Sequence, residues 1–63
     1  MTKDEATTIY TRIETALHAL NNASALIMPH DEGSADEEIA ESIQEAQQAA
    51  ATAFAALKVI MDA

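Results

Sequence analysis

Apolar residues recur along two stretches of this chain at alternating steps of three and four, and the only proline and only glycine lie between the stretches. The first stretch runs Ala6, Ile9, Ile13, Ala16, Leu20, Ala23 and Ile27; the second runs Ile39, Ile43, Ala46, Ala50, Ala53, Leu57 and Ile60. This is the heptad spacing of helices that meet along a seam. Pro29 pushes Met28 out of helical geometry, and Gly33 is a second break. The fold class expected is all-α: an antiparallel, coiled-coil-like two-helix hairpin over residues 1–63. Its first helix covers about 2–27, its turn 28–33 and its second helix about 34–61.

Both helix starts are written into the sequence. Thr2-Lys3-Asp4-Glu5 and Ser34-Ala35-Asp36-Glu37 each have the form of a capping box. In that motif a hydroxyl accepts a backbone N–H and the glutamate reaches back to a second one. Asp4 and Glu5, then Asp36, Glu37 and Glu38, fall in first turns, where acids favour the positive end of the helix dipole.

Folding the chain back at the turn pairs Ile27 with Ile39, Ala23 with Ile43, Leu20 with Ala46 and Ala16 with Ala50. It then pairs Ile13 with Ala53, Ile9 with Leu57 and Ala6 with Ile60. The residue numbers of every pair add to 66, so one register serves the whole hairpin. Most layers set a large side chain against an alanine, which lets layers interdigitate.

A chain of 63 residues buries a small core, and with no cysteine it has no disulfide to help. Very regular helix packing, self-association or both are the remaining support. One edge of the seam carries Tyr10, Leu17 and Ser24 from the first helix and Ala40, Gln47, Phe54 and Met61 from the second. Both aromatics of the chain are there. Left in water, this stripe would form the kind of apolar patch that marks an interface. The expectation is that Tyr10, Leu17, Ala40, Gln47, Phe54 and Met61 form the interface of a homodimer, a four-helix bundle of two hairpins. In one alternative the stripe covers the seam's edge within one chain; in another, compatible with the dimer, it is the binding site for a different protein.

The formal charge is −8, and Lys3, Arg12 and Lys58 are the only lysines and arginines. Direct nucleic-acid binding needs clustered cations to displace counterions from phosphates, and these are scattered. The same charge opposes docking on anionic membranes, and no apolar run approaches the ~20 residues of a membrane span. Met1-Thr2-Lys3-Asp4-Glu5 is too acidic for a secretory signal. The expected location is the cytoplasm.

Catalytic constellations are absent from the sequence. There is no cysteine, a single glycine makes no phosphate loop, and Ser24, Ser34 and Ser42 are the only serines. His18 falls on the outer face of the first helix and His30 in the turn, and a hairpin offers no cleft for a triad. Asp31-Glu32-Gly33-Ser34 does not follow the alternation of a calcium loop. Glu41 and Glu45 lack the histidine of a di-iron bundle. No enzyme, metal or cofactor is expected.

Two surfaces are candidates for a partner. Asp31, Glu32, Asp36, Glu37, Glu38, Glu41 and Glu45 crowd the turn end. Thr7, Thr8, Thr11, Thr15, Asn21 and Asn22, with His18 among them, make the outer face of the first helix unusually poor in helix formers. Local inconsistency of this kind is often functional, which nominates Thr11, His18 and Asn22 for contact. The plain alternative for each surface is a solvated face. Ala49, Ala51, Ala55, Ala56 and Val59 also make the end of the second helix apolar nearly all round, a feature of helices buried in larger assemblies.

Taken with the opening Met1-Thr2-Lys3 and the later Ala35-Asp36-Glu37, the arrangement resembles the Rop-type RNA-binding regulators of plasmid copy number. The resemblance implies the hairpin and its four-helix dimer. It does not extend to RNA binding, which in that family uses basic and aromatic side chains on the first helices. Here that helix has only Lys3 and Arg12, and its Tyr10 lies on the expected interface stripe. The function expected is that of a non-enzymatic, acidic protein-binding module. It would act as a homodimeric adaptor or inhibitor of a larger protein, of the sort common among phages and other mobile elements. One alternative is a nucleic-acid mimic that blocks a basic groove; another is a structural self-assembly unit.

Overall fold

Thr2 and Glu5 close the start of the first helix reciprocally: the Glu5 N–H donates to Thr2 Oγ1 at 3.1 Å, and the Thr2 N–H donates to Glu5 Oε1 at 3.0 Å. Two backbone donors that the first turn leaves without helical partners are thereby satisfied. The computed structural model describes residues 1–27 and 31–63. It consists of α1 (Lys3–Ile27) and α2 (Ala35–Met61), packed on each other as a hairpin 45 Å long and 15 × 13 Å across. Met28, Pro29 and His30, three residues of the expected turn, lie outside the described residues.

The second helix starts by a variant of the same device. Ser34, in extended backbone, accepts the Glu37 N–H on Oγ at 3.3 Å and donates its own hydroxyl to the Asp31 carbonyl at 2.6 Å. The Glu37 carboxylate reaches one residue further back than in a standard box, to the N–H of Gly33. Gly33 has φ +78, a left-handed conformation that a side chain disfavours. At the far end the Asp62 N–H donates to the Lys58 carbonyl at 2.9 Å, and Lys58 sets a cation against the negative end of the α2 dipole.

Two cross-helix contacts define the register. The Tyr10 and Phe54 rings meet with centroids 4.4 Å apart. Gln47 Nε2 donates to Asn21 Oδ1 at 2.8 Å. Their residue numbers add to 64 and 68, straddling the constant 66 of the seam and showing that the helices run antiparallel.

The helices are rolled about their axes relative to a symmetric seam. Tyr10, Leu17, Ser24, Ala40, Gln47, Phe54 and Met61 are all half-buried. Ala16 is exposed, Ile9 is 37% exposed and Ile39 51%. The contact line thus runs between the seam and the stripe beside it. A lone hairpin removes more apolar surface by burying two aromatic rings, a leucine and a methionine than by centring on alanines. Among the described residues only Ala6 and Leu57 are buried. The accessible surface is 4653 Å². Against an unfolded chain of about 1.45 Å² per dalton, roughly half the surface is buried on folding, below the ~60% typical of a 60-residue domain.

Candidate functional site

The stripe expected to be wet in a lone hairpin is not. Tyr10 and Phe54 lie against each other, planes tilted by 37°, and both are half-buried. Leu17, Ala40, Gln47 and Met61 are likewise half-covered, and Gln47 spends its amide on Asn21. Within one chain the stripe covers an edge of the seam. On the opposite edge Arg12, Ala19, Leu26, Ser42, Ala49 and Ala56 are exposed. A shallow groove there is lined by Leu20, Glu38, Ile39, Ser42, Ile43 and Ala46, drawing on both helices. Sequence reasoning assigned Ile39 and Ile43 to the seam, so the groove was missed. Its signal lay in the width of the apolar band, three adjacent heptad positions rather than two.

The acidic residues divide by role. Glu37 is half-buried and tied to Gly33, so it serves the helix start. Asp31, Glu32, Asp36, Glu38, Glu41 and Glu45 are exposed. Steps of three and four align Glu38, Glu41 and Glu45 on one strip of α2, with Glu37 also four residues from Glu41. Like charges at these spacings each cost about 0.2–0.5 kcal/mol of helix stability. Glu5 is the acid whose pKa is displaced. The Thr2 N–H, and secondarily the Thr2 hydroxyl, hold its carboxyl below the usual range.

The threonine face is satisfied internally. Thr7, Thr8, Thr11 and Thr15 donate their hydroxyls to the carbonyls of Lys3, Asp4, Thr7 and Thr11, at 2.9–3.1 Å. Thr7, Thr11 and Thr15 thus form a chain of such bonds along α1. Their hydrogens are engaged with their own helix, and what remains for a partner is oxygen lone pairs and methyl groups. Thr11, His18 and Asn22 are exposed on this face, and Thr7, Thr8, Thr11, Arg12 and Thr15 line a shallow depression on it.

Among the described residues no three histidine, aspartate or glutamate side chains converge on a point where one ion would sit. Among the same residues no helix is long and apolar enough to cross a membrane. Comparison with known protein families, with curated proteins and with solved structures finds no match to this chain.

Proposed function

We propose that this chain is a non-enzymatic protein-binding module: two hairpins associate as a four-helix bundle, and the dimer acts as an adaptor or inhibitor on a larger protein. The supporting observation is the lack of a closed core. With only Ala6 and Leu57 buried among the described residues, this hairpin carries apolar surface of the kind that a protein partner covers. Burial of each large side chain is worth roughly 1.5–3 kcal/mol, so covering half-exposed isoleucines and aromatics is the strongest driving force the surface offers.

The partner's contact falls to the exposed acids. Glu38, Glu41 and Glu45 repel one another, only Glu38 lies in the first turn where the helix dipole favours an acid, and a use outside the helix accounts for the placement of Glu41 and Glu45. Opposite charge on the partner speeds encounter and sets specificity. The same strip favours a second reading, in which the acids stand in for the phosphates of a nucleic acid and occupy a basic groove.

A tagged chain and its Glu41→Gln, Glu45→Gln variant, compared in pull-downs at rising salt, test both readings. An adaptor loses its partner in the variant while its self-association persists. A nucleic-acid mimic also releases its partner steeply between low and physiological salt, because exposed charges are screened within about 8–10 Å. Equal retention by parent and variant would remove the acids from the function.

A further inference from the structure

We infer that the second copy in the proposed dimer seats on the Ile9–Ile39 face, head to tail, with the turn of each hairpin beside the open end of the other. This rests on the dimer reading above and adds the face and the direction.

The area calls for a partner of this size. A compact monomer of 6.7 kDa exposes roughly 3,900 Å² by the usual scaling with mass. This chain exposes 4653 Å², an excess of about 700 Å², close to the ~800 Å² per subunit of a standard interface. The excess has a location. The Tyr10–Phe54 edge is already half-covered from within, whereas Ile39 is 51% exposed, Ile9 37%, and Ala16 between their levels is open. Leu20, Ile43 and Ala46 floor the groove beside Ile39.

In the hairpin's register Ile39 stands at the level of Ile27, so Ile9 and Ile39 mark opposite ends of the face, about 27 Å apart at 1.5 Å per residue. A two-fold axis midway falls between the levels of Ala16 and Leu20. Alanines there let backbones approach closely, while each Ile9 meets Ile39 of the partner subunit. The interface is self-complementary, as a two-fold contact must be.

Charge sets the direction. The turn half holds seven acids, Asp31, Glu32, Asp36, Glu37, Glu38, Glu41 and Glu45, and no lysine or arginine. The open half holds Lys3, Arg12 and Lys58 against Asp4, Glu5, Glu14 and Asp62. Side-by-side packing in the same direction would bring two seven-acid ends together. Head-to-tail packing separates them and brings each to the half that carries every lysine and arginine. Arg12, at the rim of the face, then stands near Glu38 of the partner subunit.

Because the chain has no cysteine, a single Glu32→Cys substitution allows a spin label at the turn. Pulsed electron–electron resonance on the full chain at high micromolar concentration is expected to give label separations beyond about 35 Å. Labels within about 20 Å of each other would overturn the head-to-tail arrangement. Sedimentation is expected to show at least tenfold weaker self-association for Ile39→Glu than for Phe54→Glu. The reverse order would overturn the face while leaving the dimer standing. Should Ile39→Glu fail to fold, the exposed pair decides: Arg12→Glu weakens self-association severalfold and Arg12→Glu with Glu38→Arg restores it. A double variant no better than the single overturns the pairing and with it the proposed direction. A parent chain that sediments as a monomer throughout overturns the dimer reading itself.

Discussion

Tyr10 and Phe54 stack across the hairpin with ring centroids 4.4 Å apart and planes tilted by 37°, one ring from each helix, near its open end. Aromatic pairs in close contact are worth about 0.5–1.5 kcal/mol beyond the area they bury. A double-mutant cycle with Tyr10→Leu and Phe54→Leu, followed by urea unfolding at fixed protein concentration, is expected to return a coupling in that range. A coupling near zero would mean that the rings do not meet in solution.

The start of α2 depends on Ser34 and Gly33. Ser34→Ala removes the acceptor for the Glu37 N–H and the donor to the Asp31 carbonyl, and is expected to cost about 1 kcal/mol. Gly33→Ala forces a side chain into φ +78 with no neighbouring atom to blame, and is expected to cost roughly 1–2 kcal/mol. Thermal unfolding of the two variants at equal concentration measures both.

Acid loosens the start of α1. The pKa of Glu5 is lowered in the folded chain by the N–H and hydroxyl of Thr2. A lowered folded-state pKa stabilises fully above the unfolded value, about 4.3, and the contribution disappears as pH falls through the folded value. Carbon-detected titration of the Glu5 carboxyl should therefore show a midpoint below the ordinary glutamate value. Amide exchange at Thr2 and Glu5 should accelerate over the same interval. In Thr2→Ala, where the hydroxyl is gone, the midpoint should move toward the ordinary value.

Replacing Thr11 by alanine is expected to stabilise the chain, by roughly half a kcal/mol. Thr11 gives its hydroxyl to Thr7, a bond that brings a β-branched residue into a helix without tertiary gain. If the threonine face contacts a partner, the same variant weakens capture of that partner while raising stability. A variant that raises stability and leaves capture unchanged assigns the face to solvent.

Relief of repulsion gives a parallel test on α2. Glu41 lies three or four residues from Glu37, Glu38 and Glu45. Glu41→Gln is expected to raise the unfolding free energy by roughly 0.5 kcal/mol at low salt, with the gain shrinking as salt rises. No gain at low salt would show that solvent already screens the strip.

Much of the architecture was legible in local chemistry. The capping residues Thr2 and Ser34 stand where the helices begin, and the fold-back register that sets Ile9 opposite Leu57 also brings Tyr10 within reach of Phe54. Caps and turns act over three or four residues, so neighbours in the chain suffice to read them. The candidate surfaces were legible only in part. The exposure of Glu38, Glu41 and Glu45 follows from heptad position, whereas the internal bonding of Thr7, Thr11 and Thr15 and the open groove beside Ile39 do not.

Which residues form helices, where each helix starts and how the two align lengthwise were determined by the sequence alone, because spacing and caps are properties of adjacent residues. The roll of one helix on the other was decided by tertiary structure. Ile9, Tyr10, Ile39 and Ala40 occupy neighbouring positions of an apolar band wider than one contact line. Spacing cannot rank those positions. Packing did, turning Tyr10 and Phe54 inward on each other and leaving Ile39 half in water.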